Sequence, residues 1–423
     1  MKVVIMAGGK GTRITEIASD VPKPMIKING KPVLEYEIEN LCSQGYTDIL
    51  LVVGHLGHII QDYFEDGSRW NVKIEYFVEE EPLGTAGSFY YLKNIIKDDF
   101  FLLNGDVIMD IDFARMEKYH HTHKGKVTLL THPNNHPYDS ALIVTDENHR
   151  VTNWINKEEP RTFYKNRVNA GVHILSKEIL QIIEKPGKYD LDRDVLKKLV
   201  ESGDVYAYDS PEYIKDMGTP ERFYAVSNDL ISGKIAARNL RNKQKAVFLD
   251  RDGTINKYKG FITNPSQIEL IPGAATAIKK INSSGYLAII ITNQPVIARG
   301  DCSFKELEDI NNTLETQLGH EGAYIDSIFI CPHHPDKGFD GERPEYKINC
   351  SCRKPKPGLI IEAANRFNID LSQSYMVGDS ENDLIAGNAT GCKSIYIGSK
   401  EIQDTEIKYE QYNNLLHFVD ERI

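Results

Sequence analysis

The chain has 423 residues, too many for one ordinary domain and enough for two. With 41% hydrophobic and 26% charged residues it can bury a sizeable core, and its formal net charge of −11 excludes a general nucleic-acid or membrane-surface binder, which needs a basic face. Small phosphorylated substrates are not excluded, because a few local cations suffice for them.

The opening run MKVVIMAGGKG is too short for a signal peptide and predicts a buried strand over 3–7. No segment reaches the roughly 18 uninterrupted apolar residues of a membrane span. A cytoplasmic enzyme with reduced cysteines is expected, and Cys42, Cys302 and Cys392 lie singly as ordinary thiols. Further strands are expected over 48–54, 72–79, 100–106, 126–131, 141–146 and 168–175, and helices over 33–44, 55–65, 87–97 and 112–123. This alternation predicts an α/β domain with a largely parallel sheet. Residues 219–242 have helical spacing behind Pro220, and the polar run RNKQK (241–245) ends them. The domain boundary is placed there, giving 1–240 and 241–423. A second cycle starts at AVFLDRDG (246–253), with strands at 286–292, 327–331, 374–379 and 394–398 and helices at 273–284, 303–318, 357–367 and 382–390. It predicts a second, smaller α/β domain. His120, His121 and His123 are expected at a helix end rather than on a metal, and His55 and His58 at a strand-to-helix turn. The charged segment ending FVDERI is expected to be a solvated tail.

AGGKGTRI (7–14) follows the first strand, where glycines let backbone N–H groups approach an anion. It is neither the dinucleotide fingerprint nor a Walker A loop. Arg13 follows the glycines, and PKPM (22–25) holds Lys23 between two prolines; both cations can neutralise a phosphate chain. Asp106 ends the apolar strand in LLNGD, at the sheet edge where ligands bind, and is a natural magnesium ligand. Asp216 of KDMGTPERF is the candidate second carboxylate. With GKPVLEY (30–36), PLGTAG (82–87) and NAG (169–171), this set over residues 1–240 resembles the sugar-1-phosphate nucleotidylyltransferases. The resemblance implies a Rossmann-like, GT-A-like fold with magnesium on Asp106 and Asp216. It implies triphosphate contacts from Gly8, Gly9, Gly11, Thr12, Arg13 and Lys23, base contacts from Leu83, Gly84 and Thr85, and sugar contacts from Asn169 and Gly171. Lys157 and Glu158 of NKEEPR stand where many relatives carry Glu-Lys-Pro. The implied reaction is displacement at the α-phosphorus by a sugar-1-phosphate oxygen, which is a matter of positioning and electrostatics.

FLDRDGT (248–254) places Asp250 and Asp252 just past an apolar strand, where one carboxylate can attack phosphorus and the other move the proton. Thr292 and Asn293, then Arg353 and Lys354, then Asp379 with Asp383 one helical turn on, follow in order. Cys331-x-His333 and Cys350-x-Cys352 supply four donors suited to structural zinc, whereas a redox role commonly needs Cys-x-x-Cys. His334 competes, and spacing favours His333. Such a clip would fix Arg353 and Lys354 over a phosphate.

The four spaced motifs over 245–420 resemble the haloacid-dehalogenase-like phosphatases. The resemblance implies Asp250 as nucleophile, Asp252 as acid and then base, and magnesium on Asp250, the Asp252 carbonyl and Asp379. It implies Thr292, Asn293 and Lys354 as holders of the phosphoryl oxygens. Two subfamilies share the zinc loop, the heptose-bisphosphate and the histidinol-phosphate phosphatases. NQPVIARG (293–300) favours the former, and YKGF (258–261) lies where that subfamily contacts substrate. The expectation is a bifunctional enzyme that dephosphorylates heptose 1,7-bisphosphate at the 7-position and activates heptose 1-phosphate, with GTP favoured. Its partners would be a nucleoside triphosphate and heptose phosphates, with no nucleic acid or membrane and oligomeric state left open. The alternatives are a hexose-1-phosphate transferase fused to a histidinol-phosphate phosphatase, or a non-catalytic sensing module on an active phosphatase.

Overall fold

The computed structural model of the chain describes residues 1–9, 20–338, 340–399, 402 and 406–423. They form two compact units. The first is drawn from Met1–His132, Ile143–Ile155 and Asn169–Asn239, the second from Pro133–Leu142, Asn156–Val168 and Leu240–Ile423.

The main sheet of the first half runs in the order Val151–Ile155, Leu142–Thr145, Val168–Leu175, Phe100–Asn104, Lys2–Met6, Asp48–Val53, Lys73–Val78. Val127–His132 also pairs with Val168–Leu175 and carries Val205–Asp209. Lys2–Met6 is parallel to both neighbours, with Met6 opposite Asn104 on one side and Val52 on the other. The chain winds away from it in one direction and returns on its other side. The carboxyl ends of Lys2–Met6 and Phe100–Asn104 therefore form a switch point, the place where open α/β sheets bind ligands. These strands are buried on both faces, which is why they read as unbroken apolar runs. Leu34, Ile38 and Leu41 of the helix Val33–Ser43 and Phe113 and Met116 of Phe113–His123 share one core with Val3, Ile5, Leu51 and Phe101. A side ribbon pairs Val107–Asp110 antiparallel with Tyr213–Asp216.

The second sheet is all parallel and runs Ser327–Cys331, Tyr286–Asn293, Lys245–Leu249, Tyr375–Gly378, Lys393–Ile397, Glu410–Tyr412. In chain order that is 3-2-1-4-5-6, the doubly wound arrangement, with its switch point between Lys245–Leu249 and Tyr375–Gly378. Alternate residues of its strands enter two different cores. Val247, Leu249, Ala288 and Ile290 pack with Ile278, Ile310, Leu314 and Phe418. Phe248, Ile289 and Ile291 pack with Leu359, Ile360, Ala363 and Phe367 of the helix Gly358–Phe367.

Three sequence expectations are corrected. The helix expected over 87–97 is confined to Phe89–Leu92. The helical spacing of 219–242 is divided into Pro220–Ile231 and Lys234–Ala237 by Gly233, whose φ of +76° suits glycine and no continuing helix. The C-terminus is not a solvated tail. Glu410–Tyr412 adds the sixth strand, and the helix Leu415–Arg422 buries Leu415, Phe418 and Val419. Its charges hide a short apolar stripe. Among the described residues no helix is long and apolar enough to cross a membrane.

Candidate functional site

In the first unit, Gly8 and Gly9 follow Lys2–Met6, and Gly105 and Asp106 follow Phe100–Asn104, so both loops lie at the switch point. Gly11, Thr12 and Arg13, expected on the phosphates, lie outside the described residues. Lys23 pairs with Asp106. The ribbon register sets Asp216 opposite Val107, the residue after Asp106, so both expected metal carboxylates reach one end of the ribbon. Burial alone would raise the Asp216 carboxyl. Arg222, 2.9 Å from both its oxygens, and the Gly218 N–H at 2.8 Å outweigh burial and hold it below the usual range. Two carboxyl groups with oxygen donors at this point fit a magnesium ion.

The residues expected on the base and on the sugar are joined by one segment. Leu83 accepts the Tyr189 N–H at 3.0 Å, and Thr85 Oγ1 accepts the Leu191 N–H at 2.7 Å. Gly84, at φ +76°, runs so close to Tyr189 that a Cβ would lie 2.4 Å from its carbonyl. Asn169 Oδ1 accepts the Gly171 N–H at 3.2 Å. A Cβ on Gly171, at φ +72°, would lie 2.4 Å from Asn104 Nδ2, so glycine lets this strand pass the end of Phe100–Asn104. Lys157 and Glu158 fall in 156–168, a segment of the second unit.

In the second unit the sheet delivers Asp250 and Asp379 to adjacent strand ends. Asp250, Asp379 and Asp383 offer oxygens within 4.8 Å of one another. Lys354 Nζ lies among them, 2.6 Å from Asp250 Oδ1, 2.5 Å from Asp383 Oδ1 and 2.7 Å from the Ile291 carbonyl. One lysine cannot balance three largely buried carboxylates. Burial pushes Asp250 up to about 7 and Asp379 up to about 6, with Asp383 adding to both and Lys354 opposing. A divalent cation fits that uncompensated charge. Gly253 makes the approach possible, since at φ +96° its Cβ would lie 2.0 Å from Asp379 Oδ2.

The Asp252 side chain does not join that group. Arg251 Nη2 at 2.8 Å, Asn256 Nδ2 at 2.9 Å and Gln294 Nε2 at 2.8 Å all donate to it. They outweigh burial and hold it below the usual carboxylate range. Asp252's expected metal contact was through its carbonyl. Thr292 Oγ1 accepts from Gln294 at 2.9 Å. The Asn293 amide donates to the Lys354 carbonyl and accepts the Lys354 N–H, both at 3.0 Å, so its side chain holds the lysine's backbone.

Cys331, His333, Cys350 and Cys352 converge, with all four donors within 4.8 Å. Cys352 Sγ is 3.2 Å from Cys331 Sγ, 3.3 Å from Cys350 Sγ and 3.3 Å from His333 Nδ1, too long for any disulfide. Three thiols and one imidazole at such spacing fit tetrahedral zinc. His334 turns away, its Nδ1 accepting the Asp336 N–H. Arg353 is tied to the cluster twice, its N–H to Cys350 Sγ at 3.3 Å and its guanidinium to the His333 carbonyl at 3.2 Å.

A nucleotidyl transferase family model matches residues 2–233. The chain belongs to that family. A HAD-hydrolase-like model matches residues 351–419, so this nucleotidyl transferase carries a HAD-like domain at its C-terminus. Mannose-1-phosphate guanyltransferase 2 of Candida glabrata is 35% identical over 232 residues, 53% of this chain and 63% of that protein. The chain thus spans less than two-thirds of that relative's length. HddC from Yersinia pseudotuberculosis, solved with GMP-PN, is 28% identical with a TM-score of 0.48 and covers 54% of this chain and 99% of that one. A D,D-heptose 1.7-bisphosphate phosphatase from B. bronchiseptica, solved with magnesium and phosphate, is 29% identical with a TM-score of 0.37, covering 42% and 97%.

Several further residues of this nucleotidyl transferase shape the sites. Asp383 joins the carboxylate group, and Arg251, Asn256 and Gln294 surround Asp252. Glu79 ends the strand Lys73–Val78 beside the glycine loop, where a Cβ on Gly8 would lie 3.2 Å from its Oε2. Its Oε1 is buried without a hydrogen-bond partner among the described residues. Burial raises its carboxyl, and a hydrogen bond from the Leu83 backbone opposes that. A polar atom without a partner among the described residues, between the loops expected on the phosphates and on the base, is the signal that singles it out.

Proposed function

We propose that this chain is a bifunctional enzyme of nucleotide-activated heptose synthesis, with residues 1–240 as the nucleotidylyltransferase and 241–423 as the phosphatase. In the phosphatase, Asp250 attacks the 7-phosphorus of a heptose 1,7-bisphosphate. The bond from phosphorus to the sugar oxygen breaks, and Asp252 supplies the proton that the leaving oxygen takes. Asp252, again a carboxylate, then removes a proton from water as that water cleaves the aspartyl-phosphate and frees inorganic phosphate. Arg251, Asn256 and Gln294 favour the carboxylate form that this second step needs and oppose the protonated form that the first step needs, so the proton for the leaving oxygen comes from the minority of protonated Asp252. Lys354 cancels charge as the two anions meet. A magnesium ion held by Asp250 and Asp379 would supply further neutralisation of the phosphoryl oxygens. The heptose 1-phosphate then attacks the α-phosphorus of a nucleoside triphosphate in the first domain, and pyrophosphate leaves.

One observation carries the heptose assignment. Arg299 of NQPVIARG lies over the Phe261 ring of YKGF, 4.7 Å from its centroid. The neighbouring Gly300 passes so near the 341 carbonyl of the Cys/His loop that a Cβ would lie 2.0 Å from it. The two segments that favour the heptose-bisphosphate subfamily, NQPVIARG and YKGF, thus meet each other, and the Cys/His loop shared by both subfamilies lies against the first, which supports the heptose reading.

Glu79 supports GTP. Guanine presents two adjacent N–H donors on its pairing edge, and a carboxylate accepts both, whereas adenine, cytosine and thymine do not offer that pair. The name of the Candida relative agrees with guanine and favours a second reading for the sugar, mannose 1-phosphate.

The deciding experiment incubates the protein with magnesium, each of four nucleoside triphosphates, and heptose 1,7-bisphosphate, mannose 1-phosphate or histidinol phosphate. Released phosphate and any nucleotide sugar are identified by mass. GDP-heptose formed from the bisphosphate is expected. Preferred hydrolysis of histidinol phosphate, or transfer to mannose 1-phosphate alone, would replace the heptose assignment. Glu79→Gln should lower kcat/KM for GTP by about tenfold to a hundredfold and narrow its margin over ATP. An unchanged margin would remove Glu79 from base selection.

A further inference from the structure

The segment Tyr189–Asp192 touches both halves of the transferase site. Tyr189 exchanges backbone hydrogen bonds with Leu83 at 3.0 Å and Ala86 at 3.1 Å, and Leu191 donates to Thr85. The chain then winds through Leu191–Leu196 as a π-helical turn, a rare form that clusters at functional sites. That turn carries the Asp192 carboxylate to Asn169, whose Nδ2 donates to its Oδ1 at 3.4 Å. The other end of the Asn169 amide is held by the Gly171 N–H, and Gly171 packs closely against Asn104 at the end of Phe100–Asn104, so Asp192 reaches the strand that passes beside Asp106.

Asp192 is not needed to start the turn. Asp190 already caps it by accepting the Arg193 N–H at 2.9 Å, and Asp194 accepts the Asp190 N–H at 2.8 Å. Asp192 is instead drawn inward, and burial with Asp190 nearby pushes its carboxyl up to about 6. A third acid placed inward, beside an amide rather than a cation, calls for a donor ligand.

We infer that Asp192 is a specificity-determining residue of the transferase site, accepting one ring hydroxyl of the sugar 1-phosphate alongside Asn169. A hydroxyl both donates and accepts, and the pair offers the matching roles: Asn169 Nδ2 donates to it and Asp192 accepts from it. The same carboxylate repels the sugar's phosphate. It therefore turns the ring toward the Asp192 side and the phosphate toward Lys23. This inference rests on the transferase reading above, for whichever sugar is used.

The test uses the full-length protein with GTP and magnesium. Transfer to mannose 1-phosphate and its monodeoxy analogues, and to heptose 1-phosphate, is compared for wild type, Asp192→Asn and Asp192→Ala. Wild type should lose about thirtyfold or more in kcat/KM for one particular deoxy analogue. Both variants should lose most of that discrimination while KM for GTP and the phosphatase rate stay within about twofold. A purely structural role would instead weaken GTP and sugar alike and leave the ratio between sugar and deoxy sugar intact, and that outcome overturns the inference. Absence of transfer by wild type to any sugar 1-phosphate would overturn the underlying transferase reading, and the inference with it. Transfer by wild type with unchanged discrimination in both variants sinks the inference alone.

Discussion

Lys354 is almost fully buried and faces two carboxylates and a carbonyl. Removing its charge leaves Asp250 and Asp383 to repel each other. Lys354→Met should therefore abolish phosphate release and destabilise the second unit by about 3–5 kcal/mol, unless the acids protonate. Thermal denaturation at pH 8 and pH 5.5 separates these cases, with the larger loss expected at the higher pH. His173 shows the opposite use of burial. Its ring is buried, Nδ1 has no partner among the described residues, and burial pushes its pKa from 6.5 down to about 3. The unfolded chain thus binds the extra proton between pH 6.5 and pH 3, so stability falls as pH falls through that window. The contribution lost between pH 7 and pH 5 is about 2 kcal/mol, and His173→Phe should flatten that part of the profile in denaturant titrations. An equally steep profile in the variant would assign the slope to other groups. At this scale the residues legible without the family resemblance were those whose partners lie close by in sequence. Cys331 with His333 and Cys350 with Cys352 form two short pairs, and Asp250 with Asp252 needs only one strand end. The roles of Glu79, Gln294 and Asp192 were not legible, Gln294's although NQPVIARG contains it, because Gly8, Asp252 and Asn169, which they meet, lie far from them in the sequence.

Among the elements, those with one dominant apolar pattern appeared where expected, since a strand buried on both faces and a helix with one apolar stripe leave different periodicities. Phe304–His320 starts on a capping box of Ser303 and Glu306 and ends two residues beyond its expected limit. The failures have local causes. Gly233 breaks an otherwise helical pattern, and the C-terminal helix has only a narrow apolar stripe among its charges. A third feature had no local signal at all. Glu315 on Phe304–His320 accepts the Asn166 N–H at 2.5 Å and lies 3.8 Å from Arg167, which also donates to the Asp326 carbonyl at 3.0 Å. Arg167 and Glu315 are 5% and 3% exposed, so the pair has little solvent to fall back on. Glu315→Ala should lower the stability of the second unit by about 3–5 kcal/mol, and Glu315→Gln by less because it keeps an acceptor for Asn166. The residual phosphatase activity after graded heating reads this out. Identical inactivation curves for the alanine variant and wild type would show that the pair contributes nothing.

On the scale of the whole molecule, the Cys/His cluster and the proposed phosphate anchor are adjacent along the chain, Cys352 being followed at once by Arg353 and Lys354. On the zinc reading of that cluster, a chelator should release the hold on Arg353 and displace Lys354, so phosphate release should fall steeply while pyrophosphate release from the proposed transferase persists. Equal loss of both activities would argue against that separation. Re-addition of zinc alone should restore the first. The two units also differ in how they are assembled from the chain. Residues 133–142 and 156–168 belong to the second unit although they are synthesised with the first. Asn166 leaves the ribosome 149 residues ahead of Glu315. At typical elongation rates that is a wait of roughly 7 to 30 seconds. During it the segment has its sequence but not the helix it packs against. Vectorial synthesis therefore imposes a late closing step on this chain, and holdase chaperones have an interval in which to act before the second unit is complete.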